Sequence, residues 1–149
     1  MSKKRVYYSL CSKNSRLWRL QNKGGIIMNI ISTDKAPAAI GPYFQGYEVN
    51  GVVYTSGQIP VVPADGSIPE GIAAQADQSC KNVGEILKAA GTGYDKVFKT
   101  TCFLADMGDF AAFNEVYAKY FISRPARSCV AVKDLPKGVL CEIEAIALK

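Results

Sequence analysis

Apolar residues follow two different periods along the chain from residue 29 onward. Short runs rich in β-branched residues predict four strands, at residues 29–32, 96–104, 126–133 and 139–148. Two further strands are predicted within residues 44–60, where Asn50-Gly51 separates two apolar runs. Asn-Gly is the dipeptide that a type I′ hairpin turn favours, so these two strands should form a hairpin.

Two stretches have the spacing of helices. Between residues 71 and 90, apolar residues recur on one helical face, and Gly91 is expected to end that helix. Asp106 is a suitable N-cap for a second helix that should run to Phe121, with Asp109 in its first turn. The apolar positions of the first helix are Ile72, Ala76, Cys80, Val83, Ile86, Leu87 and Ala90, and those of the second are Phe110, Phe113, Val116, Tyr117, Tyr120 and Phe121.

The predicted order of elements is a strand, a hairpin, a helix, a strand, a helix and two strands. This order indicates an α+β fold, in which a mixed sheet carries both helices on one face. The uncovered face of the sheet also carries apolar residues, so we expect it to be buried in an oligomer.

A charged residue on an apolar strand needs a partner, and Arg127 lies on such a strand. Alternation places Arg127 and Cys129 on one face of their strand, and Glu142 and Glu144 on one face of the last strand. Arg127 could pair with Glu142 or another internal group, or its planar guanidinium could bind the carboxylate of a ligand. Glu142 could accept a proton or orient water. The spacing leaves these alternatives open.

Four other positions have both a structural and a functional interpretation. Tyr43 lies in a Gly-Pro loop and could simply pack there. Ser56 and Gly57 end a hairpin strand, where glycine either marks a turn or lets a ligand approach the backbone. Asn114 interrupts an apolar helix face. It could be a buried amide that is hydrogen-bonded within the protein, or it could contact a ligand.

The composition excludes several kinds of chemistry. The chain has no histidine, which removes Ser/His and Cys/His catalytic pairs and makes a zinc site improbable. Its five cysteines include no CxxC pair and suggest reduced thiols in a cytoplasmic protein. No apolar run approaches the ~20 residues of a membrane span. We expect neither a metal nor a cofactor.

Residues 1–27 differ from the rest of the chain. They hold seven of the 18 basic residues and no acidic one, so the remaining 11 basic and 13 acidic residues give the body a net charge of −2. That charge argues against a broad nucleic-acid-binding surface on residues 28–149. The extension could be a mitochondrial presequence, a nucleic-acid or membrane-binding arm, or the product of a mis-assigned start whose true initiator is Met28.

Four motifs, which lie in order between residues 28 and 149, give the chain its resemblance to a known family. They are APAAIGPYFQG (36–46), TSGQIP (55–60), KTTCFLADMGDFAAFNEVY (99–117) and PARSCVAVKDLPKGVLCEIEAIA (125–147). Together they resemble the reactive-intermediate deaminase family (Rid, YjgF or L-PSP), in its archetypal deaminating subgroup. The resemblance implies a chorismate-mutase-like α+β domain at residues 28–149. It also implies a homotrimer whose sheets form a central barrel with clefts between subunits.

The family resemblance implies an activity as well. Archetypal members hydrolyse short-lived enamines and imines, such as 2-aminoacrylate and 2-iminobutanoate, to 2-keto acids and ammonia. Enzymes that use pyridoxal phosphate to dehydrate serine and threonine release these substrates. Two other functions stay open: a trimer that binds 2-keto acids for regulation, and a ribonuclease, as the older family name suggests.

The resemblance also assigns roles residue by residue. It implies that Arg127 holds the substrate carboxylate, that Glu142 orients the attacking water, and that Tyr43 closes the pocket. Cys129 would contact substrate and water through its backbone, without a reactive thiol. The backbone of Ser56 and Gly57 would reach the carboxylate, and Asn114 would lie near the cleft. One departure from the family is that only Ile122-Ser123-Arg124 separates Phe121 from Pro125, which places Arg124 near the cleft mouth.

Overall fold

A computed structural model describes residues 19–21, by their backbone, and residues 27–149. The described strands form one sheet of seven, in the order β1-β2-β3-β4-β7-β5-β6. The elements are β1 (Arg19–Gln21), β2 (Ile27–Ile31), β3 (Gly46–Val49), β4 (Val52–Thr55), α1 (Ile72–Ala89), β5 (Val97–Leu104), α2 (Phe110–Tyr120), β6 (Ala126–Ala131) and β7 (Cys141–Leu148). No helix in this part of the chain is long and apolar enough to cross a membrane.

The sheet is mixed, as the sequence predicts. β5 and β6 are parallel, and every other neighbouring pair is antiparallel. A parallel pair needs a crossover connection, and α2 supplies it between β5 and β6. Asn50 and Gly51 have φ values of 52° and 79°, so both central residues of the β3–β4 turn have the positive φ that a type I′ turn requires.

Both helices cover the same face of the sheet, which confirms the predicted α+β arrangement. The predicted apolar positions of α1 and α2 all join one core cluster, together with the alternate β7 residues Cys141, Ile143, Ala145 and Ala147. Asp106 caps the short 3-10 turn that leads into α2, because its carboxylate accepts from the Gly108 N–H at 2.7 Å. Gly91 follows α1 with a φ of 82° and ends it, as expected.

The strand β1 was not predicted from the sequence. It pairs antiparallel with β2, with Leu20 opposite Met28. Residues 1–18 and 22–26 lie outside the described residues. The alternatives for residues 1–27 therefore stay predictions, as does the domain boundary at residue 28.

The opposite face of the sheet is apolar and open. Large side chains that are about half exposed there include Tyr54, Phe98, Val130 and Leu148. Such a face on a sheet of this size is the kind of surface that a second protein copy covers.

Buried amide side chains hold the loops that flank the sheet. Asn82, buried in α1, donates through Nδ2 to the carbonyls of Ile59 and Val61 at 3.0 and 2.9 Å. Gln45 donates through Nε2 to the carbonyls of Thr33, Ala36 and Pro37 at 3.0, 3.2 and 2.8 Å. These amide side chains bind backbone carbonyls in loops that are not paired with a strand at those positions. One of these loops, residues 56–61, is part of the candidate site described below.

We expect Asn82→Ala to lower the free energy of unfolding by about 2–4 kcal/mol, because two carbonyls lose their buried donors. Denaturant unfolding checks this value. Gln78→Ala is the matched control: Gln78 Nε2 donates to Asn82 Oδ1 at 2.8 Å and to neither loop carbonyl. Its loss should be no more than about 1 kcal/mol. Equal effects of the two variants would contradict the role assigned to Asn82.

Candidate functional site

Arg127 lies on the helix-covered face of β6, against one side of α2. Its Nη1 donates to Asn114 Oδ1 at 2.8 Å. The guanidinium carbon lies 4.7 Å from the centre of the Tyr117 ring and 5.6 Å from that of Phe110. The Tyr117 hydroxyl is in turn hydrogen-bonded to Thr100 Oγ1 at 2.7 Å. These contacts fix the guanidinium by one amide and two aromatic faces.

The Arg127 guanidinium has no carboxylate partner among the described residues. The three ion pairs found there involve only lysines: Lys81–Asp77, Lys88–Glu85 and Lys149–Glu48. Arg127 and Asn114 line a cavity of about 570 Å³ with Tyr117, Phe121 and Arg124. An arginine that is held in place but left without an acid presents its remaining donors to that cavity.

Cys129 lies two residues beyond Arg127 on the same face, opposite Cys102 of β5. It is half-buried and packs against the core. Burial raises the pKa of the Cys129 thiol, and the nearby Arg127 lowers it by a smaller amount. The thiol is therefore protonated near neutral pH, which excludes an activated thiolate.

Glu142 lies on the other, open face of the sheet, because its neighbours Cys141 and Ile143 point into the core. Its carboxyl lies against Gly57, where it fills the space that a side chain at position 57 would take. Burial, with a smaller contribution from Glu144, raises the pKa of Glu142. A carboxyl whose pKa rises on folding disfavours the folded state once the pH exceeds its ordinary value. Glu142 thus reduces stability at neutral pH, which is typical of a functional group.

The loop around Gly57 is held on both sides. The Ser56 N–H donates to the Gln45 carbonyl at 2.9 Å, and Gln58 exchanges backbone hydrogen bonds with Ile143 at 2.8 and 3.1 Å. The Ser56 hydroxyl donates to the Phe44 carbonyl at 2.6 Å. Within the described chain, the N–H of Gly57 makes no hydrogen bond. The Gly57 N–H is therefore a backbone donor that this part of the chain leaves unused.

A second cavity, of about 250 Å³, lies beside this turn. Tyr43, Gln45, Gly57 and Lys137 are among the residues that line it. The Tyr43 ring is about half exposed, and its hydroxyl accepts from the Ile40 N–H at 3.3 Å. Tyr43 therefore lies near Gly57 and Glu142, and it does not lie beside Arg127.

The predicted site residues therefore fall into two groups that do not touch. Arg127 pairs in register with Thr100, and Glu142 with Phe103, on the two sides of β5. The two residues are separated by roughly 10 Å across the strands and about 10 Å along them, and they point to opposite faces. The internal Arg127–Glu142 pair that the sequence left open is not formed.

The sequence and the fold both match known proteins. Residues 33–149 match the family described as Endoribonuclease L-PSP. The chain belongs to this family. A Mus musculus protein named 2-iminobutanoate/2-iminopropanoate deaminase is 52% identical over 126 residues, which cover 83% of this chain and 93% of that protein. A Lactococcus lactis protein whose name describes it as a candidate regulator, AldR, is 54% identical over 122 residues, covering 80% and 97%.

Among solved structures, Escherichia coli TdcF with bound serine superimposes with a TM-score of 0.78 at 49% identity. The match covers 80% of this chain and 98% of TdcF. The resemblance drawn from the four motifs is thus confirmed at the level of the family.

In this L-PSP family member, the sequence did not identify the aromatic support of Arg127. The apolar pattern places Phe110 and Tyr117 in the helix core, and in the structure both rings also pack against the guanidinium. Their spacing was a usable signal, because Phe110, Asn114 and Tyr117 lie at i, i+4 and i+7 and must share one helix face. The contact between Glu142 and Gly57 gave no such signal, since it joins residues far apart in sequence.

For this family member we expect Gly57→Ala to displace the Glu142 carboxyl, because the added methyl would overlap it. Moved into water, Glu142 should lose most of its desolvation, so its pKa should fall toward the ordinary value. Carboxyl-detected NMR titration measures this shift. Ser56→Ala is the control, because it changes the neighbouring side chain and leaves the space beside Gly57 to the Glu142 carboxyl. An unchanged Glu142 pKa in Gly57→Ala would show that the two residues do not meet.

Proposed function

We propose that this protein is an enamine/imine deaminase, which converts 2-aminoacrylate and 2-iminobutanoate with water to 2-keto acids and ammonia. The observation that carries the proposal is the Arg127 guanidinium, fixed by Asn114 and without an acidic partner among the described residues. The mouse relative named for this activity, at 52% identity, gives independent support.

The arginine suits the substrates because each of them carries a carboxylate. A guanidinium offers two parallel donors to a carboxylate, and Arg127 uses Nη1 for Asn114. The related TdcF structure holds serine, a small molecule with the same carboxylate. We therefore assign Arg127 as the carboxylate anchor and Asn114 as the residue that orients it. The Gly57 N–H would donate to the same substrate.

Glu142 is assigned to the attacking water. Its partial burial and its raised pKa are suited to a carboxylate that accepts a hydrogen bond from water and can take its proton. Ser56 holds the Gly57 turn in place, and Tyr43 borders the small cavity beside it. Cys129 would contribute backbone contacts only, since its thiol stays protonated.

The chemistry then needs no covalent intermediate. The enamine first tautomerises to the imine, whose carbon is already electrophilic once the nitrogen is protonated. Water adds to that carbon and gives one proton to Glu142, which passes it to nitrogen. The C–N bond then breaks to release ammonia, and the new hydroxyl group loses its remaining proton to Glu142 as the keto group forms. The protein contributes position and charge placement.

We further propose that the active form is a homotrimer, with each site between two subunits. Arg127 and Glu142 point to opposite faces of one sheet, so a small substrate cannot touch both within one chain. A second copy whose own open face packs against the edge strand β6 of the first would bring its Glu142 and Gly57 toward the first copy's Arg127. The same packing would cover apolar side chains of the open face such as Tyr54, Phe98 and Val130.

Two other functions have specific observations on their side. The relative named as a candidate regulator fits a trimer that binds 2-keto acids in the same site without turning them over. The family description names an endoribonuclease, but a chain with no histidine and a net charge of −2 outside residues 1–27 lacks the usual means for that activity. The deaminase proposal accounts for Glu142, which binding alone does not need.

The proposal implies a functional link and a location. The substrates are released by dehydratases that use pyridoxal phosphate, so this enzyme should act beside them. Cys80, Cys102, Cys129 and Cys141 are free thiols, which fits the cytoplasm. Mitochondria are the alternative if residues 1–27 are a presequence.

The proposal is tested with imine made in place by a threonine dehydratase, while 2-ketobutanoate is followed over time. We expect the wild type to accelerate its appearance, and Arg127→Ala to lower kcat/KM by about 100-fold through loss of a charged hydrogen-bonded anchor. Lys133→Ala is the matched control, because it removes an exposed positive charge six residues after Arg127.

Two outcomes would contradict the assignment. An active Arg127→Ala variant would remove Arg127 from the site. A wild type that binds 2-ketobutanoate without accelerating its formation would favour the regulatory function.

A further inference from the structure

Arg124 is a second cation at the cavity that holds Arg127. Both arginines line the same space of about 570 Å³, together with Asn114, Tyr117 and Phe121. The other lining residues are Ala118, Ile122 and Pro125, so no acidic side chain from the described part of the chain borders this cavity. The deaminase reaction described above uses Arg127 and leaves Arg124 without a role.

The backbone around Arg124 is fixed in an unusual conformation. Its φ is 50°, in the left-handed region that disfavours residues other than glycine. The Arg124 N–H donates to the Phe121 carbonyl at 3.0 Å. The preceding Ser123 donates through Oγ to the carbonyls of Tyr94 and Val97, at 3.1 and 3.0 Å, and Pro125 restricts the chain on the other side. The backbone position from which the Arg124 side chain extends is therefore well defined, and it lies at the mouth of the cavity.

The charge of Arg124 is not neutralised within the described chain. Its side chain makes no hydrogen bond or ion pair to any residue described there, and the residue is exposed. Arg124 lies three positions before Arg127, so their Cα atoms are at most about 11 Å apart. Two arginine side chains can converge on one small molecule across that distance.

The number of cations adds a second argument. A four-carbon monocarboxylic imine carries one carboxylate, whereas two arginines line this cavity. Such a substrate, anchored at Arg127, would leave Arg124 facing water.

We infer that Arg124 binds a second acidic group on the substrate, so that the site accepts imines of dicarboxylic amino acids in addition to the small monocarboxylic ones. This inference rests on the proposed deaminase function and names a substrate class for it. Arg127 holds the carboxylate next to the imine carbon, and Arg124 holds the distal carboxylate. The reaction is unchanged: 2-iminosuccinate and water give oxaloacetate and ammonia, with addition of water to the imine carbon and cleavage of the C–N bond.

The test compares two imines on matched variants. 2-Iminosuccinate is generated by a flavin-dependent aspartate oxidase with oxygen, and 2-iminobutanoate by a threonine dehydratase; oxaloacetate and 2-ketobutanoate are each followed with an NADH-linked dehydrogenase. Arg124→Gln removes the charge and keeps much of the length, Arg124→Lys keeps the charge, and Lys133→Gln controls for net charge. Arg124→Gly removes the side chain and relieves the positive φ, so it covers poor folding of the other variants.

The inference predicts that Arg124→Gln and Arg124→Gly lower kcat/KM for 2-iminosuccinate by about tenfold and change that for 2-iminobutanoate by less than about twofold. Arg124→Lys should retain most of the dicarboxylic activity, and Lys133→Gln should retain all of it. Equal changes for both imines, or no change for either, would overturn the inference.

Binding distinguishes failure of this inference from failure of the deaminase proposal. If the wild type hydrolyses neither imine, calorimetry with oxaloacetate and 2-ketobutanoate still decides the role of Arg124. A preference for oxaloacetate that falls about tenfold in Arg124→Gln supports the second anionic subsite, and a preference that does not change refutes it.

Discussion

The contact between Arg127 and Asn114 is the interaction on which the functional account depends. A guanidinium on a strand must be satisfied, and here an amide and two aromatic rings hold it while no acid among the described residues neutralises it. This arrangement needs α2 to cross over β5 and β6 with Phe110, Asn114 and Tyr117 on one face. The parallel pairing of those strands and the crossover helix are therefore what place the anchor at the edge of the sheet.

The same fold places the carboxylate proposed to orient water out of reach of Arg127. Glu142 alternates with core residues of β7 and so faces away from the helices, against Gly57. Strand alternation makes this separation unavoidable within one chain, because a residue cannot change face without a shift in register. The open apolar face, the Gly57 N–H and Glu142 lie together on the side that a neighbouring subunit would cover. A site divided between two copies explains all three features with one assembly.

Much of the fold could be predicted because its signals are local. Asn50-Gly51 specifies its turn, the apolar spacing of α1 and α2 identifies their buried faces, and the alternation in β7 correctly separates Glu142 from Ile143. The strand β1 carries no apolar alternation, and only its pairing with β2 identifies it. The loop contacts of Asn82 and Gln45 could not be predicted either, since each amide reaches carbonyls that the sequence does not mark.

For the site, the sequence supplied the residues and the structure supplied their grouping. The motifs named Arg127, Asn114, Cys129, Glu142, Gly57, Ser56 and Tyr43, but spacing alone could not decide whether Arg127 and Glu142 form an ion pair. That question depends on the order of three strands and on which face each residue occupies. The same limit applies to the short connection Ile122-Ser123-Arg124. The sequence shows that this connection departs from the family, but only the structure shows that Arg124 and Arg127 line one cavity.

The most direct test of the divided site is complementation between two inactive chains. Arg127→Ala and Glu142→Gln are each purified, then unfolded and refolded together in equal amounts, and deamination of 2-iminobutanoate is measured. In a trimer with sites between subunits, random mixing should restore about a quarter of the wild-type activity, because one interface in four combines an intact Arg127 with an intact Glu142. The same two proteins refolded separately and then mixed are the control. No recovery from chains that co-assemble would contradict a site shared between subunits.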